Sequence, residues 1–359
     1  MKHKKNDSVD RRSFIIGSGI ILLSSFPVMN QLNTKEKKTK IAFGSCISQD
    51  EEQPIWNSII DENSDMFIFM GDNVYGDNKY NGKTEKLKKA YKKQKKKIPF
   101  DQLKQSNEIF ATWDDHDYGK NDGGSEYTYK EESKELFLDF WEIPKNDPRR
   151  VREGIYFETK KNINNSIVQF IFLDTRYFRS PLKPTDNWGA PYKERFLKDR
   201  NSSKTFLGKE QWKWLSKILD EKVDLRIIIS SIQVIADGHG FEKWGNFPLE
   251  REKLYNLIDK KEVKNVIFLS GDRHVGGIYK DKTKLGTEIY EITSSSLNLP
   301  LGRLLKKEKI RPEPGPNRIG PLYIMENYGI IEIGNNKNIS AFIKDINGKI
   351  INKIELLYQ

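Results

Sequence analysis

Apolar and polar positions along this chain alternate between two kinds of segment. Short apolar runs bounded by Gly, Asp, Asn or Ser fall at residues 40–43, 66–70, 109–113, 167–173, 225–229 and 266–269. Each is too short for a helix and rich in β-branched or aromatic residues, so each predicts a strand. Between them, residues 54–62, 85–97, 131–141, 209–221 and 249–260 carry apolar side chains at helical spacing. In the fourth of these, Trp212, Leu215 and Leu219 form one stripe. Strands alternating with helices predict an α/β domain, with any site on the loops that follow the strands. From Thr287 onward the pattern changes. Residues 289–293, 328–333, 339–343 and 350–357 read as strands, and Asn335-Asn336 and Asn347-Gly348 as hairpin turns, so the tail adds mostly antiparallel strands. Residues 302–321, with Pro312, Pro314, Pro316 and Pro321, read as an irregular loop.

The N-terminus has a different character. Lys2, Lys4 and Lys5 precede Asp10-Arg11-Arg12-Ser13-Phe14-Ile15-Ile16, and an apolar run over 14–28 follows, broken only by Gly, Ser and Pro27. Such a run falls short of the roughly 20 residues of a spanning helix. A basic region, a short apolar region and a polar exit describe a secretory signal. The paired arginines resemble a twin-arginine export signal, which makes the twin-arginine translocase an expected partner and an exported location the expected one. Residues 1–38 therefore read as export signal and linker, and 39–359 as the catalytic domain.

Composition narrows the partners. The net charge is +11 and the pI near 9.2. Such a charge fits nucleic acid, an anionic membrane surface or a phosphorylated substrate. The chain has neither the aromatic pattern of an RNA-recognition module nor zinc-finger spacing, so the charge reads as lysines on solvated faces. Residues 83–97 hold nine lysines and read as a solvated helix. The single cysteine excludes an intramolecular disulfide. Cys46 is either a small buried hydrophobe or a functional thiolate.

The rare metal-capable residues sit just after the predicted strands. A two-metal hydrolytic centre needs a bridging carboxylate, further ligands on each ion and an open position for water and substrate. Asp72, at the tip of Phe67-Ile68-Phe69-Met70-Gly71, is the candidate bridge. Tyr75 lies three residues on; a phenolate suits a hard trivalent ion such as Fe3+, and Cys46 offers the same ion a thiolate. Trp113-Asp114-Asp115-His116-Asp117 crowds three carboxylates, a repulsion that needs cations or arginines nearby. Asp115 or Asp114 would ligate the second metal, with His116 beside the substrate as hydrogen-bond donor or general acid. In Gly271-Asp272-Arg273-His274, an extended segment would turn Asp272 and His274 to one side as a chelating pair. Arg273 either forms a salt bridge or reaches a phosphate. Arg176 and Arg179, after a further strand, either bind phosphate or make structural ion pairs. His239, between Gly238 and Gly240, is a turn histidine, a ligand or a substrate contact; Asn73, His239 and Arg273 are the candidate substrate contacts.

Taken in series these motifs resemble the PhoD-like (alkaline phosphatase D) family of the calcineurin-like metallophosphatase superfamily. The matching runs are Gly44-Ser45-Cys46, Gly71-Asp72-Asn73-Val74-Tyr75-Gly76, Trp113 to Gly119, Leu173-Asp174-Thr175-Arg176-Tyr177-Phe178-Arg179, Trp244 to Arg251 and Ser270-Gly271-Asp272-Arg273-His274. The resemblance implies an α/β four-layer sandwich of two mixed β-sheets flanked by helices. It implies a phosphoesterase holding Fe3+ and Ca2+, other divalent metals being alternatives. Cys46, Asp72 and Tyr75 would hold the iron, and Asp115, Asp272 and His274 would complete the cluster. His116, Arg176 and Arg179 would be catalytic. The superfamily's Gly-His-x-His becomes Gly271-Asp272-Arg273-His274, and a carboxylate in place of an imidazole favours harder ions. A further superfamily histidine lacks a clear counterpart; Gln233 falls near its place. The expected reaction is attack of a metal-bound hydroxide on a phosphomonoester. Phosphodiesters, including lipid head groups as for a phospholipase D-type enzyme, are the alternative substrates. A non-catalytic, metal-dependent surface binding protein is the rival class.

Overall fold

The computed structural model describes residues 38–77, 83–305, 313 and 315–358. The N-terminal basic and apolar segment lies outside these residues. The strands, in chain order, are β1 (Thr39–Gly44), β2 (Met66–Met70), β3 (Glu108–Thr112), β4 (Phe157–Ile163), β5 (Ser166–Phe172), β6 (Lys183–Pro184), β7 (Phe196–Leu197) and β8 (Leu225–Ser230). They continue as β9 (Val266–Ser270), β10 (Gly276–Lys282), β11 (Glu288–Ser294), β12 (Arg318–Tyr323), β13 (Asn327–Ile333), β14 (Asn338–Asp345) and β15 (Ile350–Leu357). The helices are α1 (Ile55–Asp61), α2 (Glu85–Gln94), α3 (Phe100–Ser106), α4 (Asp115–Tyr118), α5 (Lys130–Phe140), α6 (Gly208–Ile218), α7 (Pro248–Lys260) and α8 (Leu301–Leu304).

Two mixed sheets organise these elements, in the orders β15-β14-β13-β1-β2-β3 and β12-β10-β11-β9-β8-β5-β4. Side chains alternate across each strand, so each sheet has two apolar faces to cover. The inner faces meet each other: Ile41, Phe43, Ile68 and Met70 of the first sheet pack with Phe170, Phe172, Ile227, Ile229 and Leu269 of the second. The outer face of the first sheet, through Ala42, Phe67 and Phe69, takes Trp56 and Ile59 of α1, Leu87 and Tyr91 of α2 and Phe137 of α5. That of the second, through Ile171, Ile228 and Phe268, takes Trp212 and Leu215 of α6 and Leu254 and Ile258 of α7. The result is helix, sheet, sheet, helix. Each fully buried aliphatic or aromatic side chain contributes about 1.5–3 kcal/mol of transfer free energy.

β1, β2 and β3 run parallel, as do β5, β8 and β9. The carboxyl ends of both triplets therefore point to one rim, and the loops leaving them carry the candidate residues. The tail follows the expected hairpins: β13 pairs antiparallel with β1, β14 with β13 and β15 with β14. Three elements depart from the sequence reading. β4 and β10 lack clean apolar alternation; lysine and asparagine break β4, and paired glycines open β10. The proposed irregular loop ends early, because Arg318–Tyr323 joins the second sheet as an edge strand beside β10, a place where Pro321 is tolerated.

The β1–β13 pair also contains a tight contact. Gly329 faces Phe43 across the ladder, and a Cβ at Gly329 would come within 2.1 Å of the fully buried Phe43 ring. Gly329→Ala is expected to destabilise the fold by about 1–3 kcal/mol through overpacking, read as a lower midpoint of urea denaturation. Phe43→Leu in the same chain should recover part of that loss.

Candidate metal centre

At the shared rim, three groups of side chains overlap. Ligand atoms of Cys46, Asp72 and His274 lie within 4.8 Å of one another, as do those of Asp72, Asp115 and His116, and those of Asp114, Asp115 and Asp272. Four loop segments distant in sequence thus meet, and Asp72 and Asp115 are each shared by two groups. Tyr75 joins the first group: its hydroxyl lies 3.3 Å from Asp72 Oδ2. Cys46 Sγ lies 3.4 Å from the same oxygen and 3.4 Å from Ser295 Oγ.

The backbone brings these groups inward by an unusual route. Cys46, Asp72, Asp272 and His274 all have left-handed φ, at 57°, 50°, 66° and 56°. Non-glycine residues in that region carry strain, and such strain concentrates at functional sites. Gly71 is required between them: its φ is 102°, and a Cβ there would meet Asp114 Cβ at 2.5 Å. The left-handed turn at 272–274 also corrects the expected chelating pair. Asp272 points into the carboxylate group and His274 into the thiol group, so the two do not serve one ion as an extended strand would have them do.

His274 is fixed by its second nitrogen. Nδ1 bonds the Leu299 carbonyl, and the backbone N–H donates to Ser295 Oγ at 2.7 Å. A carbonyl partner keeps the proton on Nδ1 and leaves Nε2 as a free base. Burial depresses the pKa of His274 to about 4. His116 is the opposite case. Burial opposes its charge, but Asp115, Asp72 and Asp77 raise its pKa well above the usual value. Its Nδ1 lies 2.6 Å from Asp77 Oδ1, and its ring sits 4.2 Å from that of Tyr75.

The carboxylates are crowded. Burial, then the charges of Asp115 and Asp114, raises Asp72 and Asp272 well above the ordinary range. Burial raises Asp114 to about 7 against the pull of Arg176. Asp115 alone stays low: His116 and Arg176 overcome its burial. Burial likewise raises the Cys46 thiol and the Tyr75 phenol. Asp114 Oδ2, Asp115 Oδ1 and Asn73 Oδ1 are buried with no hydrogen-bond partner. Protein sites rarely tolerate such orphans. Anionic donors, unpartnered oxygens and mutual repulsion are what a cation cluster requires, and a bound cation would reverse the upward shifts of acid, thiol and phenol.

Several expected contacts are placed otherwise. Arg176 and Arg179 are fully buried and do not face an open substrate position. Arg176 contacts Asp114 Oδ1 at 2.6 Å and Glu242 Oε2 at 2.6 Å. Arg179 reaches Glu242 Oε1 at 3.0 Å and donates to the Ser180 carbonyl at 2.9 Å. Both arginines therefore make structural ion pairs. Arg273 pairs with Glu313 and stacks over Phe241. His239 is buried, with Nε2 3.0 Å from Gln233 Oε1. Gln233 is thus committed to His239 and to Thr293 rather than to the cluster. Asn73 donates its amide to Thr112 O at 2.9 Å and to Asp117 Oδ2 at 2.5 Å. Its carbonyl oxygen is left buried without a hydrogen-bond partner. The sequence reading missed Asp77, Glu242 and Ser295. Asp77 follows a recognisable motif, whereas no local pattern marks the other two.

The site has a characteristic form: two facing mixed sheets, with carboxylate, imidazole and thiol groups at the carboxyl ends of their parallel strands. This is the architecture of the metallophosphatases. The PhoD-like phosphatase family model matches residues 41–313. The chain belongs to the PhoD-like phosphatase family. Alkaline phosphatase D of Bacillus subtilis (strain 168) is 24% identical over 287 residues, which is 69% of this chain and 48% of that protein. The chain thus spans about half the length of the curated relative it matches. A solved structure of PhoD superposes with a TM-score of 0.63 at 17% identity, over 89% of this chain and 68% of that one. Purple acid phosphatase PPD1 from yellow lupin (Lupinus luteus) seeds does so with a TM-score of 0.61 at 12% identity, over 89% and 54% respectively. Both share the fold.

Two outcomes follow. Glu242→Ala leaves two buried guanidinium groups short of a counter-charge and is expected to cost about 3–5 kcal/mol in chemical denaturation. The second concerns pH. Asp114 and Asp117 titrate near 7 in the folded protein, above the unfolded value near 3.9. A raised pKa stabilises fully below the unfolded value and ceases to do so as pH rises through the folded one. Chelator-treated protein should therefore lose stability between about pH 4 and pH 7 through these acids. His274, depressed, acts in the opposite sense between about pH 6.5 and 4, as one group against several. Melting temperatures at pH 5 and pH 8, with and without added cation, test this; the cation should stabilise more at pH 8.

Proposed function

We propose that this chain is an exported, metal-dependent phosphoesterase that hydrolyses phosphomonoesters, with phosphodiesters as its second substrate class. One observation carries the reading: Cys46, Asp72, Tyr75, Asp114, Asp115, Asp272 and His274 converge from separate loops onto one rim. Membership of the PhoD-like phosphatase family supports it. Cys46, Tyr75, Asp72 and His274 would hold the trivalent partner, Fe3+. Asp114, Asp115 and Asp272, joined by the Asn73 carbonyl, would hold a hard cation such as Ca2+. Bound there, such cations supply Lewis acidity and an activated water.

The chain's own groups do the rest. His116 is partly exposed at the rim, its Nδ1 anchored by Asp77 and its ring backed by Tyr75. Its raised pKa keeps a proton available, and Nε2 is the atom that would pass it to the departing alkoxide. Arg176 holds Asp114 in place by the Nε and Nη2 contacts and is itself held by Glu242. Export rests on the sequence of residues 1–28, whose paired arginines and apolar run suit the twin-arginine translocase.

Purified protein should hydrolyse p-nitrophenyl phosphate faster than its bis-ester and lose both activities to chelator. Absence of turnover of either ester at full metal content would overturn the proposal. His116→Asn is expected to lower turnover about 10²–10⁴-fold with metal content unchanged by elemental analysis. Loss of metal in that variant would make His116 a ligand instead.

A further inference from the structure

We infer that the lysine face of α2, with the apolar groove at its C-terminal end, is a docking surface for an anionic phospholipid leaflet. α2 buries Leu87, Ala90, Tyr91 and Gln94. At about 100° per residue, the side opposite those four belongs to Lys88, Lys89 and Lys92, and Lys96 follows in the turn after the helix; all four are exposed. None of these four lysines forms an ion pair among the described residues, whereas their neighbours Lys93 and Lys95 pair with Asp50 and Glu142. Four unneutralised, exposed cations attract an anionic surface.

Lysines alone would suit any polyanion. The groove beside them narrows the partner. It has a volume of about 730 Å³ and begins at Lys95 and Lys96, where α2 ends. Its walls are Pro99, Phe100, Ile109, Phe110, Trp141 and Ile143, all half-buried. It lies where β3 and β4, the outer strands of the two sheets, both contribute to the lining. At its edge Lys104 pairs with Glu142 and Arg149 with Asp147, and Lys96 stands without an ion pair among the described residues. A soluble polyanion uses the cations and leaves the groove unused; a neutral lipid does the reverse. An anionic phospholipid offers both partners in one molecule, a phosphate for the lysines and an acyl chain for the groove. Among the described residues no helix is long and apolar enough to cross a membrane. Gln94, on the buried side of α2, donates to the Asn73 carbonyl at 3.0 Å. The helix that would carry the leaflet is thus tied on its inner side to the loop that carries Asp72 and Tyr75. The inference stands independently of the phosphoesterase reading.

Co-sedimentation of the full chain with phosphatidylcholine vesicles, with and without phosphatidylglycerol, tests it. Phosphatidylglycerol should raise partitioning at least about tenfold, and added salt should reverse the gain. The quadruple change Lys88→Gln, Lys89→Gln, Lys92→Gln and Lys96→Gln should remove most of that gain; the N-terminal apolar run is unchanged in both chains, so the difference reports α2. Bromine-labelled acyl chains should quench tryptophan emission, and Trp141→Phe should abolish the quenching. Equal partitioning of parent and quadruple variant would overturn the proposal. So would soluble polyphosphate binding as tightly as the anionic vesicles, or vesicle binding without quenching.

Discussion

Burying several like charges at one point is the constraint on which this molecule is built. Asp72, Asp114, Asp115 and Asp272 meet where both parallel strand triplets end, the first three buried and Asp272 half-buried. In such surroundings two carboxylates cannot both ionise cheaply. The chain supplies only partial relief. Arg176 and Arg179 bring two positive charges, but Glu242 lies between them and takes one back. What remains is one guanidinium charge, delivered to Asp114. His116 supplies another, delivered to Asp115 and Asp72. The protein holds a permanent deficit of positive charge that bound cations would fill.

Backbone conformation serves the same end. Left-handed φ at Cys46, Asp72, Asp272 and His274 costs on the order of 1–3 kcal/mol per residue. The loops are held there by bonds of their own: Ile47 N donates to Asp72 O at 2.9 Å, and Cys46 N to Gly71 O at 3.4 Å. The strands beneath are buried and close-packed on both faces, which resists relaxation of that strain. Donor groups are therefore set before any ligand arrives, which is what a centre that must discriminate among ions needs.

Much of this was legible in the residues. Strands were plain where the whole run is buried, as at β2, β8 and β9, because parallel strands covered on both faces read as continuous apolar runs. β4 was hidden because it is an edge strand with Lys160, Lys161 and Asn162 in its sequence, and β10 because it opens on two glycines. At the site, glycine followed by aspartate after an apolar run was a sufficient signal for Asp72 and Asp272. The arginines were ambiguous for a physical reason. A guanidinium that binds phosphate and one that fills a buried ion pair look alike in sequence, and the deciding partner, Glu242, lies over sixty residues away. His274 and Asp272 were misassigned to one ion because spacing by two implies a common side only in extended backbone, and left-handed residues break that rule.

The distribution of charge explains how a chain of net charge +11 accommodates an acidic centre. The lysines of α2 face solvent, and Lys93, Lys95 and Lys104 meet their acids at the surface, where such pairs contribute little stability. The buried cations beside the acidic centre are arginines, Arg176 and Arg179, whose planar forks can satisfy two carboxylates at once where a lysine could not. Surface lysines determine which anions approach. The buried arginines determine where Asp114 stands when they do.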